Sequence, residues 1–66
     1  MKERLISSAI KAVDYDPGTG RMKLWFPDNG PYSFYRVPER IYFGLINSHS
    51  KGSYYNNHIR GRYFLP

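Results

Sequence analysis

An alternating segment held between two turn sequences constrains this fold more than any other feature. From Arg21 to Phe26, apolar residues alternate with basic residues and Trp25, which is the period of a half-buried β-strand. Pro17 and two glycines precede this segment, and Asn29-Gly30, a strong hairpin signal, follows it. Because connections this short join antiparallel neighbours, the sequence predicts an antiparallel meander with residues 21–26 at its centre.

Two further strands are predicted, one on each side of this segment. Ser7–Tyr15 is rich in residues that favour strands, and Tyr32–Val37 alternates after the Asn-Gly turn. Residues 1–6 are expected to be a flexible amino-terminal lead-in. Residues 7–66 are expected to form a single domain, because a chain of 66 residues has room for only one.

Two short helices are predicted after the strands. Pro38 and Glu39 suit the first turn of a helix. An apolar stripe follows at helical spacing: Ile41, Tyr42, Leu45 and Ile46. Gly44 lies inside this helix, where it costs about 1 kcal/mol relative to Ala, so a close approach to the sheet is expected there. Ser50 is expected to cap a second helix from Lys51 to about Arg60. The predicted fold class is α+β, a three-stranded antiparallel meander followed by two short carboxyl-terminal helices.

Aromatic side chains are the main source of core stability that the composition offers. The chain has seven Tyr, four Phe and one Trp, and it has no cysteine that could form a disulfide. Each ring buries a large area, so most rings are expected to be structural. Trp25 is expected in the core, because an exposed indole is unfavourable. If its strand face were instead open to solvent, Trp25 with Arg21 and Lys23 would form a basic strip with an exposed ring.

The charge distribution favours an anionic partner. Ten basic residues against five acidic ones give a net charge of +5. The excess lies mainly in residues 31–66, where Glu39 is the only acidic side chain. A one-sided positive field attracts polyanions such as nucleic acids. Solubilising charge without a specific ligand is the alternative.

Motifs for catalysis or metal binding are absent from the sequence. His49 and His58 have no neighbouring cysteine or acid cluster that would complete a metal site. Asp16 leads into a Pro-Gly turn, so a turn-capping role is expected for it. We therefore expect a non-enzymatic domain without a metal or cofactor. No apolar run approaches the ~20 residues of a membrane span, so a cytoplasmic location without membrane contact is expected.

A candidate phosphate-binding segment begins the second predicted helix. Ser50-Lys51-Gly52-Ser53 combines two hydroxyls, an ammonium group and an open glycine backbone at a helix amino terminus, where free amides attract phosphate. An ordinary helix cap, which needs only Ser50, is an equal alternative. The following turns add Tyr54, Asn56 and Arg60, side chains that suit single-stranded nucleic acid.

The carboxyl-terminal half of the chain carries a specific motif. Its residues are Ser50-Lys51-Gly52-Ser53-Tyr54-Tyr55-Asn56, then Ile59-Arg60 and Tyr63, preceded by Met22-x-Leu24-x-Phe26, Tyr32-Ser33-Phe34 and Val37-Pro38. Together they resemble the KTSC domain, a family named for its occurrence at the carboxyl terminus of some lysyl-tRNA synthetases and also found as short stand-alone bacterial and phage proteins. The resemblance covers about Ser7 to Tyr63. It implies RNA binding by association, with these motif positions: Ser50, Gly52, Tyr55, Asn56 and Arg60.

Two functional hypotheses follow from these features. The first is binding of RNA or single-stranded nucleic acid, in which cations contact phosphates and rings stack on bases. The residues predicted for it are Tyr32, Arg40, Ser50, Lys51, Gly52, Tyr54, Asn56, Arg60 and Arg62. The second is a protein-interaction module, either a homodimer or a docking domain. It is favoured because twelve rings exceed what so small a core needs, and exposed rings favour interfaces.

Overall fold

A computed structural model describes residues 1–64 of the chain and has an α+β fold. Four strands form one antiparallel sheet in the order β1-β2-β3-β4, and two helices follow. The elements are β1 (Lys2–Arg4), β2 (Ala12–Asp16), β3 (Arg21–Trp25), β4 (Tyr32–Phe34), α1 (Glu39–Asn47) and α2 (Lys51–His58). The predicted class, an antiparallel sheet followed by two helices, is confirmed. Leu65 and Pro66, the last residues of the predicted domain, lie outside the described residues.

The prediction of three strands is wrong, because residues within the expected lead-in form a fourth strand. β1 pairs antiparallel with β2, with Lys2 opposite Asp14 and Arg4 opposite Ala12. All three residues of β1 are exposed, so this strand has no apolar face that a sequence pattern could have revealed. Its formation depends on pairing with a later segment of the chain, and local propensity carries no signal of that pairing.

The first predicted strand is shorter than expected, since β2 begins at Ala12 rather than at Ser7. The Ser7 hydroxyl accepts hydrogen bonds from the backbone N–H groups of Ala9 at 3.0 Å and Ile10 at 3.3 Å. Side chain–backbone bonds of this kind offer the chain an alternative to the sheet ladder. The segment before Ala12 therefore forms the connection between β1 and β2.

The hairpin predicted at Asn29-Gly30 is confirmed, since β3 and β4 pair antiparallel across it. β4 ends at Phe34, earlier than predicted, because Arg36 adopts a left-handed backbone conformation with φ of 58° that interrupts the strand. After this bend, the Val37 N–H donates to the Gly20 carbonyl at 2.8 Å. The chain thereby leaves the sheet and enters α1.

Both helices follow the sequence signals, with one correction. The apolar stripe of α1 packs inward, with Ile41, Tyr42 and Leu45 buried. The Ser50 hydroxyl caps α2 by accepting from the Ser53 N–H at 3.2 Å. Gly44 does mark a close approach, but to α2 rather than to the sheet. A methyl group at Gly44 would overlap the phenol of Tyr54, so the glycine allows the two helices to meet.

A single core lies between one face of the sheet and the two helices. Its members are Ile10, Val13, Tyr15, Met22, Leu24, Phe34, Val37, Ile41, Tyr42, Leu45 and Ile59. The apolar residues of β2 and β3 form cross-strand pairs on the core side of the sheet. Val13 lies opposite Leu24, and Tyr15 lies opposite Met22. Within residues 1–64, no helix has both the length and the apolar character that crossing a bilayer requires.

Candidate nucleic-acid interface

In the described part of the chain, neither helix packs on the side of the sheet that faces away from the core. Successive side chains of a strand point to opposite faces, so the residues that alternate with the core members lie on this second face. They are Lys2, Arg4, Ala12, Asp14, Asp16, Arg21, Lys23, Trp25 and Ser33. We call them the outer face. α1 buries its apolar stripe in the core, and α2 packs the partly buried Tyr54 and Tyr55 against it. Among the described residues, Ala12 is the one buried apolar residue of the outer face, and it is not a member of the core cluster.

Two pairs of a ring and a cation stand on this side of the molecule. The Lys2 ammonium lies 4.8 Å from the centre of the Trp25 ring. The Arg21 guanidinium lies 5.8 Å from the centre of the Tyr35 ring. Both distances are within the range of cation–π attraction. Because Arg21 and Trp25 are the two ends of β3, the pairs are about 13 Å apart along the strand.

The two ends of the outer face differ in charge. Across the β2–β3 ladder, Asp16 lies opposite Arg21 and Asp14 lies opposite Lys23. These four side chains line one shallow depression, in which the two carboxylates offset the two cations. The other end is a groove of about 460 Å³, which we call the Trp25 groove. It is lined by Lys2, Arg4, Leu5, Lys11, Ala12 and Trp25.

The expectation that Trp25 lies in the core is wrong. Its side chain is half-buried on the outer face and is not among the core residues. The sequence alternation had placed Trp25 with Arg21 and Lys23, and it left open whether that face is covered. Coverage depends on which side of the sheet the helices pack, and that choice is made by contacts distant in the sequence.

The predicted phosphate-binding segment lies in a different groove. Ser50, Lys51 and Gly52 line a groove of about 240 Å³ together with the connection after β1. The Ser50 hydroxyl is used in the helix cap. The Lys51 ammonium donates to the Ser48 carbonyl at 2.9 Å, so it is held against the backbone at the start of α2. This arrangement matches the helix-cap interpretation of the segment.

The structure places Tyr54 against α1. Its ring packs over Gly44 and lies 4.4 Å from the imidazole ring of His58, centre to centre. Burial raises the pKa of the Tyr54 phenol, and the positive charge of Arg40 acts in the opposite direction. Arg40 itself is exposed in the first turn of α1. The contacts of the Tyr54 ring serve helix packing, and they limit its use as a stacking platform.

The remaining predicted residues are exposed but dispersed. Asn56, Arg60 and Arg62 are exposed in α2 and just after it. Arg60 follows the end of the eight-residue helix, which places it about 12 Å or more from the cap at Ser50. Tyr32 is 49 % exposed and lines an aromatic groove of about 240 Å³ with Ser33, Phe34, Tyr55 and Phe64. The structure therefore distributes the predicted binding residues over several places.

Sequence reasoning missed most of the outer face. Lys2 and Arg4 lie in the unpredicted strand, and Tyr35 joins Arg21 only because β4 pairs with β3. The signal that was available is the alternation of basic residues with Trp25 in β3. It identified a basic strip with a ring as one of two outcomes for that strand.

Comparison with known proteins agrees with the motif. Residues 6–63 match the family model of the KTSC domain. A lysine–tRNA ligase from Nostoc sp. is 36 % identical over 56 residues, which cover 85 % of this chain but 10 % of the ligase. This chain therefore spans about a tenth of that relative's length. A protein from Tsukamurella paurometabola is 33 % identical over 57 residues, covering 86 % of this chain and 85 % of that protein.

A solved structure supports the same relationship. The crystal structure of a KTSC domain protein from Yersinia pestis has a TM-score of 0.90 to this chain at 28 % sequence identity. The match covers 96 % of this chain and 89 % of the other. The sequence match over nearly the whole chain and the shared fold lead to one conclusion: the chain belongs to the KTSC domain family.

Proposed function

We propose that this domain binds single-stranded RNA through the outer face of its sheet. The observation that carries the proposal is the presence of two ring–cation pairs on a sheet face that neither helix covers. Stacking of bases on rings and neutralisation of phosphates by cations are the two contributions that hold single strands on proteins. The domain acts in this proposal as a binding module without catalysis, in the cytoplasm.

The relatives support RNA over DNA as the ligand. A segment similar to this chain occurs in lysine–tRNA ligases from Nostoc sp. and Nostoc punctiforme, enzymes whose name includes an RNA. A small basic module attached to such an enzyme would raise the local concentration of its RNA substrate. The net charge of +5 acts in the same direction, because it attracts any polyanion.

A salt series of binding measurements tests the proposal. Fluorescence anisotropy would follow a labelled single-stranded RNA, with duplex DNA of equal length for comparison. If Lys2, Arg4, Arg21 and Lys23 each meet a phosphate, the slope of log affinity against log salt is about −3 for a single strand. Salt-independent affinity, or no binding at low salt, would contradict the proposal.

A matched pair of variants locates the binding surface. Arg21→Ala with Lys23→Ala removes two positive charges from the outer face, and Arg60→Ala with Arg62→Ala removes two from the end of α2. We expect the first pair to weaken RNA binding at least tenfold and to make the salt slope shallower by about 1.4, at 0.7 for each phosphate contact. The second pair should change affinity less than threefold. The reverse result would move the site to α2.

A specific observation favours protein binding as a second candidate function. Tyr32 and Phe64 are 49 % and 59 % exposed, and they border an apolar groove together with Phe34 and Tyr55. Exposed aromatic residues are more frequent in protein interfaces than on the rest of a protein's surface. This candidate predicts a mass in analytical ultracentrifugation that rises with protein concentration and is insensitive to salt. Tyr32→Ser should abolish that rise, whereas Arg21→Ala should leave it unchanged.

A further inference from the structure

The shape of the Trp25 groove depends on Ala12, a small residue that lies between two large ones on the outer face. The register of the sheet places Arg4, Ala12 and Trp25 side by side on the outer face, across β1, β2 and β3. The methyl group of Ala12 cannot fill the space between an arginine and an indole, so a depression remains between them. Its volume of about 460 Å³ lies within the range of small-ligand sites.

The charge of the groove is uniformly positive. Its walls carry Lys2, Arg4 and Lys11, and no carboxylate is among the residues from 1 to 64 that line it. Asp14 is the cross-strand neighbour of Lys2, but it lines the depression at the other end of the outer face. An anion in the groove therefore meets three cations in its lining, while the neighbouring Asp14 carboxylate lies 3.5 Å from the Met1 amino group. This difference separates the groove from the Arg21 end, where Asp16 is present.

The indole of Trp25 lies on an anchored segment of backbone, and the Lys2 ammonium lies over its ring. The Lys2 ammonium over the ring shows that this ring face is open to a polar group and is not sealed by apolar packing. The Lys11 N–H donates to the Trp25 carbonyl at 2.7 Å, which anchors the backbone of both residues. A flat ring could replace the ammonium on the indole, and the flexible stem of Lys2 would let the ammonium move to a nearby phosphate.

We propose that the Trp25 groove is a subsite for one nucleotide of a single-stranded RNA. The base stacks on Trp25, and the adjoining phosphates contact the cations of Lys2, Arg4 and Lys11. This inference rests on the proposed function and assigns a specific place to one nucleotide. An acidic peptide would use the same cations but would gain nothing from the ring, so the indole decides in favour of a nucleotide.

The single tryptophan of the chain gives a direct readout of this site. In a ¹H–¹⁵N spectrum, the one indole N–H signal reports on the groove without interference from nucleotide absorbance. We expect titration with a single-stranded RNA to shift this signal along the same saturation curve that anisotropy gives. Adenosine monophosphate should shift the signal at millimolar concentration, and ribose 5-phosphate should shift it much less.

A groove-filling variant separates shape from charge. Ala12→Leu adds bulk between Arg4 and Trp25 while keeping every cation and the ring. We expect it to weaken RNA binding at least tenfold. Lys11→Gln, at an exposed position, should weaken binding several-fold, and it provides the test if Ala12→Leu fails to fold by circular dichroism. Arg62→Gln removes the same charge outside the groove and should change affinity less than twofold.

The outcomes distinguish this inference from the proposed function. RNA binding with an unchanged indole signal and normal affinity of Ala12→Leu would overturn the nucleotide subsite and leave the proposed function standing. A shift by adenosine monophosphate without RNA binding would overturn the proposed function and with it the RNA subsite, because it would show a site for a free nucleotide. Equal shifts with ribose 5-phosphate or a glutamate-rich peptide would overturn the subsite, because they would show a site for anions alone.

Discussion

At the scale of single residues, Tyr15 connects the sheet to the segment that leads into α1. Its hydroxyl donates to the Val37 carbonyl at 2.6 Å, and this bond is buried. Its ring stacks on Tyr42 with 4.6 Å between the ring centres. The phenol therefore satisfies a backbone carbonyl in a place that water hardly reaches. The contribution of such a bond to stability comes mainly from the free-energy cost of leaving the buried Val37 carbonyl without a hydrogen-bond donor.

Replacement of this hydroxyl should lower stability measurably. We expect Tyr15→Phe to reduce the free energy of unfolding by about 1–2 kcal/mol, because the buried Val37 carbonyl loses its donor. Urea denaturation followed by circular dichroism measures the change. Tyr42→Phe is the matched control, since it removes a hydroxyl from the other ring of the stacked pair and keeps the bond from Tyr15. A larger loss in the control would contradict this explanation.

At the scale of elements, the contact between α1 and α2 depends on a position without a side chain. Gly44 lies within α1, and Tyr54 of α2 occupies the space that a methyl group there would take. Glycine in a helix is unfavourable by about 1 kcal/mol relative to Ala. The local cost is offset by the closer packing of the half-buried Tyr54 ring against α1.

Gly44→Ala is therefore expected to destabilise the protein, opposite to its effect on an isolated helix. We expect a loss of about 1–3 kcal/mol in the free energy of unfolding, because the added methyl displaces the Tyr54 ring. In a Tyr54→Ala background, the same substitution should raise stability by up to about 1 kcal/mol, through helix propensity alone. A double-mutant cycle by urea denaturation measures both values. Stabilisation in the wild-type background would show that the ring moves freely.

At the scale of the whole molecule, the two sides of the sheet differ in composition. The core takes its apolar residues from one side of the sheet, from α1 and from Ile59 just after α2, and the basic residues of β1 and β3 lie on the other side of the sheet. Two buried tyrosines form part of that core, and burial raises the pKa of both Tyr15 and Tyr42 above the ordinary 10.0. Nearby carboxylates raise both values further, with Glu39 the larger such contribution for Tyr15 and Glu3 for Tyr42.

These raised pKa values predict a loss of stability in alkaline solution. The folded state holds the tyrosine protons more tightly than the unfolded state, so their contribution is complete below pH 10 and is lost as pH rises above it. We expect the urea midpoint to fall as the pH rises above 10 at constant ionic strength. The urea midpoint of Tyr15→Phe should fall less steeply with pH than that of the wild type. This difference distinguishes the effect of tyrosine ionisation from that of lysine ionisation, which is the same in both proteins. Identical slopes in both proteins would contradict the assignment.

The local parts of the fold were readable in the sequence. Alternation in residues 21–26 predicted β3, Asn29-Gly30 predicted the hairpin, and Ser50 predicted the start of α2. The motif around residues 50–60 predicted the family. Each of these signals works between residues close along the chain, through turn conformation, side-chain period or a capping hydrogen bond. Neighbours in sequence are sufficient to specify them.

Tertiary structure decided the features on which the candidate site depends. β1 forms because β2 offers it an edge, and Gly44 meets Tyr54 because two helices cross there. Trp25 is on the outer face because both helices pack on the opposite side of the sheet. The alternation of residues in β3 places Trp25 on the same face as the basic residues. It does not indicate whether the helices cover that face. The sequence by itself determined the central strand, the hairpin, the two helices and the family. Contacts between distant segments determined the fourth strand and the surface that remains open, since burial is a property of the assembled chain.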